Sequence, residues 1–353
     1  MPSSSTSLVT EPDLRALRDY LATALDDGIA GELTASLIGG GRSNPTYLIT
    51  DDARTWVLRR PPYGHVLPSA HDMGREFTVL SALCDSPVPV PRPVHLCRDT
   101  EVLGAPFYLM EHVVGRSVGT PEDAAELTAP QRRSLGFEFA DTLAALHDVD
   151  VDRVGLADFG RPDGYLERQL ERWARQWRAS ATRERPEVEL LLDTLGRSIP
   201  VTRFPGIVHG DVKLDNVLVS PQDPTLIVAV LDWEMATLGD TFADVGILLS
   251  FWDVPGVPVN PITRGLTALE GFPTRAELLG RYAEQRGIEL SDIEWYAVFA
   301  DLKIAVILEG INARHRQGET VGDGFDGVAD MVGPLLRRAL DLAAASDLPG
   351  PRR

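Results

Sequence analysis

The segment IVHGDVKLDNVLVSPQDPTLIVAVLDWE, residues 207–234, gathers His209, Asp211, Lys213, Asn216 and Asp232 at short, fixed offsets. Asn216 precedes a strand-type run, Val217–Val219, and the turn SPQDPT separates it from a second run, residues 226–231, which leads directly into Asp232. A proline-containing turn between two such runs predicts a β-hairpin. Paired strands lie ~4.8 Å apart, so Asn216 and Asp232 should become neighbours at the open end. An amide oxygen beside a carboxylate, with room left for water and phosphate oxygens, suits Mg²⁺. Asp211, in the loop before the hairpin, should face the same end. A carboxylate there that ligates no metal can accept the proton of a hydroxyl nucleophile. Lys213 can neutralise charge on a transferring phosphoryl group. A single Asp or Asn beside a turn is usually a turn-former. Five polar types in the order H-x-D-x-K-x-x-N, hairpin, D make a more specific pattern.

The elements that must position these residues can be read by periodicity. Leu14, Leu17, Leu21 and Leu25 recur at helical spacing, and short strand-type runs follow, LTASLI, TYLIT and TWVLRR, broken by GGGRSNP and DDAR. A helix near residues 70–84 and two more strand-type runs, near 94–97 and 107–113, complete a small antiparallel-sheet lobe. Beyond Gly115 the pattern turns mainly helical, with one stripe at Leu135, Phe139, Leu143 and Leu146 and another at Leu166, Leu170, Trp173 and Trp177. The expected class is α+β, with an N-lobe over residues 1–112 and a C-lobe over 113–353. In the N-lobe, GGGRSNPTYLIT sits at a strand–turn–strand junction where backbone N–H groups and Ser43, Asn44 or Thr46 could meet phosphates. It is neither GxGxxG nor a Walker A motif.

HGDVKLDN resembles the catalytic loop of protein kinases and of the aminoglycoside phosphotransferase and choline kinase-like family, and LDWE stands where that fold places its metal-binding Asp. The resemblance implies a bilobal protein-kinase-like fold using ATP and Mg²⁺. It implies Asp211 as catalytic base, Asn216 and Asp232 as metal ligands, and Lys213 as the catalytic-loop lysine. It makes GGGRSNPTYLIT the nucleotide loop and Glu76, in MGREFTVL, the helix acid that pairs with a strand cation. FYLMEHVVG becomes the strand before the hinge, where the Glu111 carbonyl and the Val113 N–H would read adenine. Asp240 and Asp244 would begin a helix and brace the loop. The departure is the strand cation: residues 1–212 contain no lysine. Arg59 holds the place by position, with Arg60 the alternative if the register differs by one. Arginine still donates to phosphate, in fork geometry. The runs GGGRSNPTY, LRRPP, PSAHDMGREF and LDWEMATLGD resemble the branch related to the kinase-like domain fused to acyl-CoA dehydrogenases in eukaryotes. The resemblance covers roughly residues 30–250 and implies transfer of the ATP γ-phosphate to a hydroxyl of a small molecule.

Two other readings are weighed against it. Residues 115–119, GRSVG, match the G-x-S-x-G elbow of serine hydrolases around Ser117, but Asp141 and His147 fall on one predicted helix and no alternating βα units appear. A nucleotide-binding pseudokinase would explain the missing lysine, yet Asp211, Asn216 and Asp232 are all present. DWE replaces DFG and no activation segment follows, which favours a small-molecule acceptor over a protein one. Aminoglycosides, choline- or sugar-like acceptors and hydroxyacyl thioesters all remain open. A net charge of −18 disfavours nucleic acid and anionic membrane surfaces as partners. Cys84 and Cys97 form no CxxC pair, no run approaches the ~18 apolar residues of a membrane span, and the first residues lack an export pattern, so a cytoplasmic location is expected.

Overall fold

The computed structural model describes residues 11–38, 44–61, 72–256, 259–318, 325 and 327–350. The chain falls into two compact units, Met1–Val114 and Gly115–Arg353. No helix among the described residues is long and apolar enough to cross a membrane.

In the first unit five strands form one antiparallel sheet in the order β1-β2-β3-β5-β4. They are β1 (Thr34–Leu37), β2 (Thr46–Thr50), β3 (Thr55–Arg59), β4 (Pro93–Cys97) and β5 (Phe107–Glu111). Alternation along β2 turns Tyr47 and Ile49 inward, where they meet Leu17 and Leu21 of helix α1 (Glu11–Ala24) with Trp56, Leu58, Phe107 and Leu109. The DDAR turn between β2 and β3 is held by the Asp51 carboxylate, which accepts the N–H groups of Ala53 and Arg54 at 2.8 and 2.6 Å. Helix α2 (Met73–Leu83) starts at Asp72, whose side chain accepts the Arg75 N–H, and it buries Glu76 together with Val79, Leu80 and Leu83. One feature exceeds the sequence expectation of a single helix among the strands. A one-turn helix, α3 (Thr100–Leu103), lies between β4 and β5, capped by Asp99 and closed by Gly104 at φ +75°. Four residues are too few to carry a periodic signal.

The second unit is mainly helical. Helices α4 (Pro121–Ala125), α5 (Ala129–His147), α6 (Tyr165–Ser180), α7 (Pro186–Gly196), α8 (Phe242–Phe251), α9 (Arg275–Arg286), α10 (Ile293–Arg316) and α11 (Val328–Ala344) surround two short ladders. β6 (Pro205–Val208) pairs with β9 (Thr237–Asp240), and β7 (Val217–Val219) pairs with β8 (Ile227–Val230). All ten residues of α8 are buried, and α10 packs on α8, α11, α6 and α7. The β6–β9 ladder, α7 and α9 have no counterpart in the periodicity. The ladder joins four-residue runs about thirty positions apart, and α9 buries only Leu278 and Tyr282. Its one sequence signal is the capping box formed by Thr274 and Glu277.

Candidate active site

β6 ends at Val208 and delivers His209, Gly210 and Asp211 into a loop that closes with a single 3₁₀ turn, Leu214–Asn216, before β7. The β7–β8 register sets Val217 opposite Val230, and the Leu231 N–H donates to the Asn216 carbonyl at 2.8 Å. Asn216 and Asp232 therefore flank the same open end of the hairpin. Asp232 takes the left-handed conformation, φ 65° and ψ 65°, which costs a non-glycine residue on the order of 1–2 kcal/mol. The next residue, Trp233, is buried against His209 at 4.7 Å between ring centroids, and its Nε1–H donates to the Val230 carbonyl.

Among the described residues the Asp211 carboxylate is engaged on one oxygen. Lys213 Nζ, at 3.0 Å, and Asn216 Nδ2, at 2.9 Å, both donate to Oδ2. Asn216 Nδ2 also donates to the Asp211 carbonyl at 2.8 Å. These two donations engage Asn216 Nδ2 and leave Oδ1 as the acceptor atom of the amide. Burial pushes the Asp211 carboxyl up, but Lys213, Asn216 and the nearby His209 outweigh it and hold the group below the usual carboxylate range. Burial alone would lower Lys213; the Asp211, Asp215 and Asp232 carboxylates raise it above its ordinary value. Both groups are therefore ionised at neutral pH.

The loop backbone is clamped by buried groups. Asp244, on α8, accepts the N–H of His209 on Oδ2 at 2.6 Å and that of Gly210 on Oδ1 at 2.8 Å. His147, on α5, meets Asp244 Oδ2 through Nε2 at 3.3 Å and the Tyr282 hydroxyl through Nδ1 at 2.7 Å. Burial lowers His147, more than Asp244 raises it, so the ring is neutral. His209 has a structural place: Nε2 donates to the Leu231 carbonyl at 2.9 Å and Nδ1 accepts the Asp211 N–H at 3.2 Å. Gly210 sits at φ +87°, and a Cβ there would lie 2.8 Å from that of Met235, so the position requires glycine. The Gly210 carbonyl accepts from Lys303 Nζ, on α10, at 2.6 Å.

Beside this loop a cavity is lined by Val212, Lys213, Leu214 and Asp215 on the loop side, by Phe139 of α5 and Leu248 and Phe251 of α8, and by Trp252 just beyond α8. Among the described residues no group of three or more His, Cys, Asp or Glu side chains could by itself hold a metal ion. Asn216 Oδ1 and the Asp232 carboxylate still fit Mg²⁺, which keeps water and phosphate oxygens in its shell and seldom takes an all-protein cage.

In the first unit Glu76 is the hub. Its Oε2 lies 3.3 Å from Arg59 Nη1 and accepts the Tyr108 hydroxyl at 2.8 Å, while Oε1 accepts Asn44 Nδ2 at 3.1 Å. Arg59 ends β3 opposite Thr46 and Tyr108. Arg60, beyond the strand, is buried and donates through Nε to the Pro61 carbonyl at 3.2 Å. Thr46 Oγ1 donates to the Asn44 carbonyl at 3.2 Å. Glu111 closes β5 opposite Trp56, with Val113 two residues beyond it. Ser43 lies outside the described residues. The Ser117 hydroxyl donates to the Asp215 carbonyl at 3.2 Å rather than pairing with a histidine, and both nitrogens of His147 are taken, so no hydrolase arrangement forms around Ser117. Tyr108 and Lys303 are site neighbours to which sequence reasoning gave no role. Tyr108 offers no signal, whereas Lys303 is one of two lysines in the chain.

The family model for the APH phosphotransferase enzyme family matches residues 34–287. The chain belongs to this family. Among curated relatives, mouse acyl-CoA dehydrogenase family member 10 is 34% identical over 333 residues, spanning 93% of this chain and 30% of that protein. Rat acyl-CoA dehydrogenase family member 11 is 33% identical over 340 residues, spanning 94% of this chain and 43% of that protein. The chain thus spans less than half the length of these relatives. The crystal structure of an aminoglycoside phosphotransferase candidate from Ralstonia eutropha superimposes with a TM-score of 0.79 at 32% identity, covering 94% of this chain and 98% of that one. Spectinomycin phosphotransferase, solved with ADP and spectinomycin, shares the fold at a TM-score of 0.60 and 12% identity, covering 93% and 98%. The phosphotransferase fold is α+β and protein-kinase-like, with the five-stranded antiparallel sheet in its first unit.

Proposed function

We propose that the protein transfers the γ-phosphoryl group of ATP to a hydroxyl of a small molecule, with residues 1–112 serving the nucleotide and residues 113–353 the chemistry. The observation that carries this reading is the state of Asp211. Both bonds to its carboxylate fall on Oδ2, the group is held ionised, and Oδ1 is left for the proton of an incoming hydroxyl. The acceptor oxygen bonds to the γ-phosphorus as the bond to the β,γ-bridging oxygen breaks; ADP leaves and Asp211 takes the proton. Lys213 holds Asp211 in place and offers charge to the transferring group. Asn216 Oδ1 and the Asp232 carboxylate would hold Mg²⁺, which neutralises phosphate oxygens when bound. Arg59 takes the place of the phosphate-binding lysine, oriented by Glu76, with Ser43, Asn44 and Thr46 around the phosphates and the Glu111 carbonyl and Val113 N–H toward adenine. The ADP bound by spectinomycin phosphotransferase supports the nucleotide class.

The cavity favours one kind of acceptor. Phe139, Leu248, Phe251 and Trp252 offer apolar surface, and among the described residues the lining carries a single carboxylate, Asp215, beside the Lys213 ammonium, where a polycation needs several. An acceptor whose hydroxyl is borne on an apolar body fits this lining better than an aminoglycoside. ADP release from Mg-ATP, screened against aminoglycosides, choline- and sugar-like alcohols and hydroxyacyl thioesters, tests both points. Acceptor-stimulated turnover lost in Asp211→Asn is the expected result; turnover that survives that substitution would overturn the reading, and stimulation by aminoglycosides alone would overturn the acceptor class.

A further inference from the structure

We propose that Lys303 is a positioning residue of the phosphoryl transfer, gripping through the Gly210 carbonyl the peptide from which Asp211 projects. The inference rests on the reading of Asp211 as the base. Of 34 basic residues only two are lysines, and both touch this loop: Lys213 binds the Asp211 carboxylate and Lys303 the Gly210 carbonyl. That carbonyl and the Asp211 N–H belong to one peptide unit. Its oxygen is held by Lys303 at 2.6 Å and its N–H by His209 Nδ1 at 3.2 Å, while the preceding N–H is held by Asp244 at 2.8 Å. Glycine at φ +87° leaves the chain free to rotate this peptide, so the orientation must be imposed from outside. Removing the ammonium takes away the side-chain donor that holds the carbonyl end of this peptide.

The placement is costly for a purely structural role. Lys303 is 7% exposed, and its Nζ lies 5.7 Å from the centroid of the Trp173 ring. An apolar side chain would fill the space without burying a charge. The charged groups that face Lys303 are Asp244 from α8, Asp211 from the loop and Arg172 from α6. α7 turns apolar Val188, Leu191 and Leu195 inward, and the buried Arg338 of α11 is engaged by Asp301. Burial lowers the ammonium from 10.5 to about 8, against the upward pull of Asp244 and Asp211. The grip is therefore charged at neutral pH and weakens in mildly alkaline solution.

Two lysines make the test direct. With ¹³Cε-lysine labelling the full chain gives two lysine signals, assigned by a Lys213→Arg sample. The Lys303 signal should titrate near pH 8 and the other above its ordinary range. Mg-ATP turnover, with water as the probe acceptor, should fall about 10- to 100-fold in kcat for Lys303→Met while KM for ATP stays within about three-fold, the signature of a misaimed group rather than a lost binding contact. Wild-type kcat should decline above about pH 8, and Lys303→Arg, whose charge persists, should lack that decline. If Lys303→Met does not fold, the lysine titration and the Lys303→Arg profile still decide. Unchanged kcat in Lys303→Met, or a Lys303 signal that titrates together with Lys213, overturns the proposal. Asp211→Asn is assayed alongside: wild-type turnover there defeats the base reading instead, so the two failures are distinct.

Discussion

Replacing Lys303 by methionine should change how stability depends on pH, by an amount that burial sets. In the unfolded chain the ammonium titrates near its ordinary 10.5, and in the folded protein near about 8. The unfolded chain binds the proton more tightly, so the contribution of this side chain is fully present above the unfolded value and is lost as pH falls through the folded one. At neutral pH the buried charge weighs against folding by roughly 3 kcal/mol relative to the neutral amine, at 1.36 kcal/mol per unit. Between pH 7 and pH 9.5, wild type should gain about 2 kcal/mol over Lys303→Met, since at the upper pH most of the folded molecules have shed the proton. Guanidinium denaturation of both proteins at the two pH values measures this, because tyrosines and other groups titrate alike in each and cancel in the difference. A difference that is flat within about 0.5 kcal/mol, or one that runs the other way, would refute the reasoning. The expected outcome sets stability against the proposed function, because folding favours the neutral amine and the loop favours the charged one.

Asp211→Asn should leave ATP affinity within a few-fold while turnover falls ~10²–10⁴-fold, whereas Asp232→Ala should weaken ATP binding only when Mg²⁺ is present; calorimetric titration with and without the metal separates them. Arg59→Ala should raise the ATP dissociation constant by one to two decades, about 1.5–3 kcal/mol for a charge-assisted contact, and should also lower stability by leaving Glu76 buried without its guanidinium; the same nucleotide loss from Arg60→Ala instead would show the wrong arginine was chosen. His147, whose protonation burial suppresses, should make stability fall as pH drops below about 6.5, because only the unfolded ring protonates freely there. Melting temperatures of wild type and His147→Gln from pH 7 to 5 check this, the variant showing the flatter slope.

What could be read from the sequence was what local spacing controls. The hairpin that brings Asn216 and Asp232 together spans one turn, so composition and alternation were enough. Arg59 and Glu76 were marked by the family resemblance rather than by spacing, and their 3.3 Å contact joins β3 to α2. The β6–β9 ladder was not, since each run has four residues and the pairing depends on everything between them. Lys303 was visible as an oddity of composition. Its reach to Gly210 depends on α10 lying against α8, a packing relation that no periodicity in either helix encodes. Tyr108 lies on a strand whose residues from Phe107 to Met110 are all buried, so alternation could not mark its hydroxyl as the partner of Glu76.

The arginine that ends β3 also governs how this protein responds to chemical labelling. Nucleotide analogues that acylate a nearby amine report on kinase sites by tagging the strand lysine. Here that strand offers a guanidinium already paired with Glu76, and no lysine occurs before residue 213. Such a reagent would leave the five-stranded sheet unmarked even when nucleotide is bound. A survey that counts tagged sheet lysines would then pass over a phosphotransferase-family protein of this kind. Any lysine tag it did carry would map to Lys213 or Lys303, and would report on the loop around Asp211 instead.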